Sequence, residues 1–355
     1  MSNEARLVSF LDGLVADGVC PGAVAFVCDR DEILFSHVSG VRQLVPESHP
    51  LSFGTQFDLA SVSKVVSTTM VAARLRDSGV LSYEDTVGKI LPYPGKYREV
   101  TIRQLLTHTG GFIAELRLWN YISDPRDALR FILDQEPEYR PDTRYEYSCF
   151  GFIVLGAILE NLYGKSLDQA AAELVFSPLG MFHTCYNPLP ANQQESFPDI
   201  AATEYDDRSG RILVGEVHDE NARFLGGVAG NAGVFSTARD ISLFLRMLLC
   251  DGRTSEAVFL SSDRINEFHT DYTPLLPVGR GIGFLLASHG DNPAGTVVSR
   301  DSYGHTGFTG TSVWIDPKSG LAACLLTNRV HPFRTERRLI ELRRSFHDLA
   351  FSLNA

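Results

Sequence analysis

What most restricts the fold of this chain is that its strand-like segments sit at the two ends, with helical spacing between them. Residues 22–28 are small and β-branched, Asp29-Arg30-Asp31-Glu32 is a polar turn, and residues 33–38 resume the pattern, which predicts a hairpin. From about Gly281 the signature returns in residues 282–287, 295–299, 312–315 and 321–327, joined by meander-type turns such as Asp316-Pro317-Lys318-Ser319-Gly320. Strands that share a sheet belong to one unit, so residues 1–65 and 220–355 are expected to form an α/β (α+β) domain around an antiparallel sheet. Residues 66–219 are then an inserted, mainly helical domain, and the seam between the two is where a pocket is expected.

The helical assignments follow from apolar periodicity and end signals. Leu7, Phe10, Leu11, Leu14 and Val15 share one face of a first helix that ends at Gly18, and residues 336–353 form an amphipathic last helix, so the sheet is flanked by both termini. In between, residues 101–107 read as a short capped helix, 126–133 as another, 150–163 as a longer one stopped by Gly164, and 166–176 as a fourth. Residues 187–219 form a polar loop too long for a simple connection. Gly226-Gly227-Val228-Ala229-Gly230-Asn231-Ala232-Gly233 lacks the spacing of a phosphate-binding loop and points to close backbone packing before the helix that Ser236 to Asp240 cap.

Composition removes several classes of function. A net charge of −11 without a basic run gives no reason to expect a nucleic-acid partner. No stretch offers 18 uncharged apolar residues, so no membrane segment is expected. The start, Met1-Ser2-Asn3-Glu4-Ala5-Arg6, lacks the pattern of a secretory leader, which makes a cytoplasmic location the expectation. Cys20, Cys28, Cys149, Cys185, Cys250 and Cys324 are scattered without a C-x-x-C pair and read as reduced thiols. With no H-E-x-x-H or Cys/His cluster, neither a metal nor another cofactor is expected. The absence of G-x-S-x-G excludes the α/β-hydrolase arrangement.

Chemistry enters at Ser61-Val62-Ser63-Lys64. A serine three residues before a lysine on a helix puts both side chains on one face, where the amine can assist loss of the hydroxyl proton. The ordinary alternative is an N-capping serine with a solvated lysine, and such a spacing arises by chance about once in a chain this long. Tyr147-Ser148-Cys149 precedes an apolar helix and is readable as plain core packing; Tyr303-Gly304-His305-Thr306-Gly307 is readable as a turn. Taken in order, the three stretches resemble the serine β-lactamase and penicillin-binding-protein superfamily, in particular the branch of class C β-lactamases, D-alanyl-D-alanine carboxypeptidases and esterases. That branch carries S-x-x-K, then Y-x-N or a variant, then K-T-G or H-T-G. Supporting stretches are residues 105–111, 233–240 and 314–317, and the likeness runs from about Leu14 to Ser345.

The resemblance implies a β-lactamase/transpeptidase-like fold and acyl transfer to a small-molecule or peptide substrate. On it, Ser61 is the nucleophile, Lys64 its cationic neighbour, and Tyr147 the general base and later acid. His305, Thr306, Gly307, Phe308 and Cys149 are substrate-binding, with the N–H groups of Ser61 and Phe308 as the oxyanion hole. Tyr147 is preferred over Tyr145 because Gly156 follows it by the family's spacing, and Tyr145 is given a packing role. A phenol of ordinary pKa needs cations nearby to act as a base, with Lys64 one and His305 either a second or simply a hydrogen-bond donor. Cys149 stands where the family usually has asparagine, and His305 where efficient β-lactamases usually have lysine. Both departures leave amide, D-peptide, β-lactam and ester substrates open, with an efficient class C-like β-lactamase or a non-catalytic binding module as alternatives. His218 and Asp219 either face the cleft or serve structure.

Overall fold

In a computed structural model of the chain, which describes residues 2–189, 199–290 and 292–353, the two ends meet in one seven-stranded sheet. Its strands are β1 (Gly22–Cys28), β2 (Ile33–Gln43), β3 (His49–Pro50), β4 (Leu285–Leu286), β5 (Tyr303–Thr306), β6 (Ser312–Asp316) and β7 (Leu321–Thr327). The spatial order is β3-β2-β1-β7-β6-β5-β4, with all neighbours antiparallel. At the centre β1 pairs with β7, Phe26 opposite Cys324.

These two strands read as unbroken apolar runs because both faces of the sheet are covered. Val24, Phe26 and Cys28 turn towards the core shared with the central helices, whereas Ala23, Ala25 and Val27 turn towards the terminal helices. Those are α1 (Asn3–Ala16), which buries Leu7, Leu11 and Leu14, and a last helix, Arg338–Phe351, which buries Phe346, Ala350 and Phe351. On the other face lie α2 (Thr69–Asp77), α3 (Cys149–Tyr163) and α4 (Ala238–Leu249), all contributing to the larger core; the last helix is α5. Ser148 caps α3, whose end at Gly164 takes the left-handed φ of 76° that glycine tolerates. Within the expected capping stretch it is Thr237 that caps α4, accepting the Asp240 N–H at 3.2 Å. A second small sheet of Phe57–Asp58, Val234–Ser236 and Cys185–Tyr186 clips the approach to Ser61 onto the approach to α4.

Several expectations are corrected. Residues 295–299 are not a strand: Asp348 accepts the N–H groups of Thr296 and Val297, which removes them from any ladder. The strand in that part of the meander is β5, and residues 282–287 pair only at Leu285–Leu286 because Gly283 bends the chain at φ 78°. β5 occupies Tyr303–Thr306, the stretch also readable as a turn, and ends just before Gly307. The central region is less continuously helical than its spacing suggests, with residues 107–124 mostly irregular around Gly110 and Gly111. Helix Ser262–His269 was not anticipated. In the polar loop, residues 190–198 lie outside the described residues, and the remainder carries a small hairpin of Tyr205–Asp206 and Arg211–Ile212. All six cysteines are free. Gly230 does mark close packing, since a Cβ there would lie 1.9 Å from the Phe152 carbonyl oxygen in α3.

Candidate active site

The segment leading to Ser61 is tied down before it turns. Phe57 and Asp58 pair with Ser236 and Phe235, and the Leu59 N–H reaches the Val234 carbonyl at 3.0 Å. Ala60 then adopts φ 47°, a left-handed conformation that a residue with a Cβ rarely takes unless its surroundings impose it. Asp58 supplies part of that imposition by accepting the Ala60 N–H at 2.8 Å and, with its other oxygen, the His218 N–H at 2.7 Å. Ser61 sits in a 3₁₀ turn, Ala60–Val62, and Lys64–Thr68 is π-helical before α2 begins. The plain helix mouth read from the sequence is therefore an irregular entry, of a kind that recurs at functional sites.

Lys64 is fully buried and every direction from its ammonium is occupied. Nζ donates to Ser61 Oγ at 3.1 Å and to the Asn231 carbonyl at 2.8 Å, and stands 3.8 Å from Cys149 Sγ and 5.0 Å from the centre of the Tyr147 ring. Asn231 is itself anchored, donating from Nδ2 to Asp219 Oδ1 at 3.1 Å. Asp219 also caps the helix Glu220–Phe224 through the Ala222 N–H, so of the pair left undecided His218–Asp219 the aspartate supports the lysine through Asn231.

Burial works against the Lys64 charge, but Cys149, Tyr147 and Asp219 outweigh it and hold its pKa above the ordinary lysine value. Burial likewise raises the Tyr147 phenol, against the pull of Lys64. Nearby cations were expected to favour the phenolate; burial wins, and the resting phenol keeps its proton. Burial also pushes the Cys149 thiol up to about 11, against the pull of Lys64. His305 is not a second cation. Burial, Arg280 and Lys64 together drive its pKa far below the usual histidine range. Its Nδ1 lies 2.8 Å from the Thr306 carbonyl, which assigns the proton to Nδ1 and leaves Nε2 an acceptor.

The opposite side of the cleft is the end of β5 and the turn after it. A Cβ on Gly307 would come within 2.5 Å of the Leu59 carbonyl oxygen, so only glycine lets this turn close on the Ser61 segment. Thr309 and Thr311 fasten the contact, their hydroxyls donating to the carbonyls of Asp58 and Leu59 at 2.8 Å each. Phe308 is thereby held beside Ser61, its ring half exposed and stacked on His218 at 5.6 Å. The Phe308 N–H makes no hydrogen bond among the described residues.

Ser61, Tyr147, His305, Thr306, Gly307 and Phe308 line one cavity of about 330 Å³. Cys149 is set back behind Lys64, and Tyr145 lines the cavity beside Arg280, 6.0 Å from its guanidinium. Residues not anticipated as part of the site are Asn231, His108, Arg280, Arg329 and Arg343. His108 packs 4.5 Å from the Tyr147 ring and accepts the Ser148 N–H at 3.2 Å, fixing the tyrosine's approach. It lies in the 105–111 stretch, so a signal existed; Gly279-Arg280-Gly281 offered a weaker one.

The Beta-lactamase family profile matches residues 7–347. A relative from Escherichia coli (strain K12) named "Putative D-alanyl-D-alanine carboxypeptidase" is 32% identical over 306 residues, covering 78% of this chain and 70% of that protein. Among solved structures, simvastatin synthase (LovD) from Aspergillus terreus superposes with a TM-score of 0.77 at 19% identity, over 99% of this chain and 98% of that one. EstCE1, described as a hydrolase with promiscuous acyltransferase activity, gives 0.76 at 20% identity, over 97% and 98%.

Proposed function

The chain belongs to the Beta-lactamase family, and on that premise we propose that it is a serine hydrolase that cleaves amide or ester bonds through an acyl-enzyme on Ser61. The observation that carries the proposal is the 3.1 Å hydrogen bond between a fully buried Lys64 ammonium and Ser61 Oγ, inside a cavity that Tyr147 and the Phe308 turn also line. Ser61 Oγ attacks the carbonyl carbon as its proton passes to the Tyr147–Lys64 pair. The negative oxygen is received by the N–H groups of Ser61 and Phe308, and loss of one such donor raises the barrier by about 3 kcal/mol. The pair then protonates the leaving amine or alcohol, and water repeats the sequence to release the acid. Tyr147 and Lys64 interact closely enough to titrate as a unit, so the base is the pair short of one proton.

The relative's name makes a D-alanyl peptide the first amide to try, and the fold shared with a hydrolase of promiscuous acyltransferase activity makes a small ester the second. Cys149 offers no amide to hold a substrate amide, which weighs against an efficient β-lactamase. The test is to follow hydrolysis of a D-alanyl-D-alanine peptide and of p-nitrophenyl acetate, with mass spectrometry for an acyl group on the protein. Ser61→Ala is expected to remove the adduct and lower kcat/KM by about a thousandfold or more. Turnover of both compounds unchanged in Ser61→Ala would overturn the proposal.

A further inference from the structure

Three guanidinium groups line the Ser61 cavity. Arg280, Arg329 and Arg343 are 1%, 3% and 6% exposed, and among the described residues none forms an ion pair with a carboxylate. Each donates to a backbone carbonyl, Arg280 to Gly283 at 2.9 Å, Arg329 to Glu336 at 2.6 Å and Arg343 to Gly307, and Arg280 also interacts with the Tyr145 hydroxyl. A guanidinium has five N–H donors, and the Nε of all three is buried without a partner. The lack is local, because arginines nearby are matched: Arg334 meets both Glu204 and Glu220. Burial and the neighbouring Arg329 hold Arg343 down to about 9, so the charges oppose one another.

Backbone carbonyls and one hydroxyl are a poor return for three buried charges, since each carries a desolvation penalty that only a paired anion relieves. Glu336 and Glu204 act on Arg329 only from beyond ion-pair distance, and a single bound carboxylate would leave two of the three guanidinium groups without a paired anion. Arg280, Arg343 and Lys64 all act on neutral His305, but the arginines line the cavity and Lys64 does not, so they form a charged wall apart from it. Arg343 is fixed by the Gly307 carbonyl next to Phe308, and Arg329 lies 4.7 Å over the Phe308 ring, within reach of whatever occupies the turn. We propose that the substrate of Ser61 carries at least two negative charges, as two carboxylates or as a phosphate monoester, and that Arg280, Arg329 and Arg343 receive them through paired N–H···O contacts. The proposal rests on Ser61 being the acylating nucleophile and goes beyond it by naming the charge class of the substrate.

The experiment uses two ester series on the whole chain. One keeps an acetyl group and varies the phenol: phenyl acetate, 4-acetoxybenzoate, 5-acetoxyisophthalate and 4-acetoxyphenyl phosphate. The other keeps p-nitrophenol and places no, one or two carboxylates on the acyl group. With rates corrected for spontaneous hydrolysis, at least one series is expected to rise about tenfold or more in kcat/KM from one charge to two. The phosphate and dicarboxylate arms separate the two sources of charge. Arg329→Met and Arg343→Met are expected to bring the two-charge to one-charge ratio towards unity. Because those variants could fold poorly, the unaltered protein supplies a second readout: malonate or inorganic phosphate should inhibit p-nitrophenyl acetate hydrolysis more strongly than acetate at equal ionic strength. Equal kcat/KM for one and two charges in both series, or malonate and phosphate no better than acetate, overturns the proposal. If no ester turns over at all, acyl transfer is what fails; calorimetry of malonate and phosphate binding to Ser61→Ala protein, with and without Arg343→Met, then decides this inference alone.

Discussion

The cleft has two positively charged walls that are treated in opposite ways. On one, Lys64 is enclosed by Ser61 Oγ, the Asn231 carbonyl, Cys149 and Tyr147, with Asp219 behind. On the other, three buried arginines touch backbone carbonyls and, among the described residues, pair with no carboxylate. A cation whose partners all belong to the protein has its position and proton set before anything binds, which suits proton transfer. Cations left with unused donors have an interaction to offer, which suits holding a ligand. Burial alone does not tell the two roles apart; the identity of the partners does.

The strongest way to break this contrast is Lys64→Met. It should lower kcat/KM by about a thousandfold or more while leaving inhibition by malonate close to that of the unaltered protein. If malonate inhibition vanishes with Lys64, the walls are not independent. Next in size is Asp219→Ala, which frees Asn231 and so the carbonyl under Lys64. A loss of about ten- to a hundredfold in kcat, with a smaller change in KM, is expected. Asp219→Asn, which keeps an acceptor oxygen, should recover part of it; equal losses in both would mean that the carboxylate acts by charge and not by holding Asn231.

The pH profile sharpens the same contrast. Lys64 and Tyr147 are both shifted upward, so the pair short of one proton is scarce at neutral pH and grows as pH rises. kcat/KM should climb by up to about tenfold per unit between about pH 7 and 9. His305, held far below its ordinary range, is neutral throughout and adds no limb of its own. A profile flat across that interval would remove the pair as the base. The smallest effect is expected from Cys149→Asn, which places an amide where the thiol lies 3.8 Å from Lys64. It should raise amide over ester turnover by only a few-fold, read as a ratio of kcat/KM values, and an unchanged ratio would show that this position does not select the acyl donor.

The two walls were not equally legible in the sequence. Ser61, Lys64, Tyr147 and His305 carry their chemistry in side chains at motif spacings, so order along the chain was enough to bring them forward. Asn231 contributes its backbone carbonyl to Lys64, a group every residue has, and glycine-rich packing was all its neighbourhood announced. The arginines are far apart in sequence, coming from the approach to β4, the segment after β7 and α5, and only the fold collects them; an overall charge of −11 conceals the local excess. The protonation of His305 and Tyr147 was not legible for a related reason, because burial decides it and a motif carries no record of burial. At the level of the fold, β1 and β7 were plain from their continuous apolar runs, whereas residues 295–299 share that β-branched character but lose their N–H groups to Asp348.

The central pairing of β1 with β7 also sets when the protein can first work. Residues 22–28 have their sheet neighbour some three hundred positions later, at residues 321–327, and the Phe308 turn that closes on Ser61 belongs to the same late portion. During synthesis the nucleophile and its lysine are made long before the groups opposite them. A growing chain thus holds an incomplete cleft, and the first hairpin waits with one edge open. Closing so long a loop is slow, and the same step that completes the core completes the site.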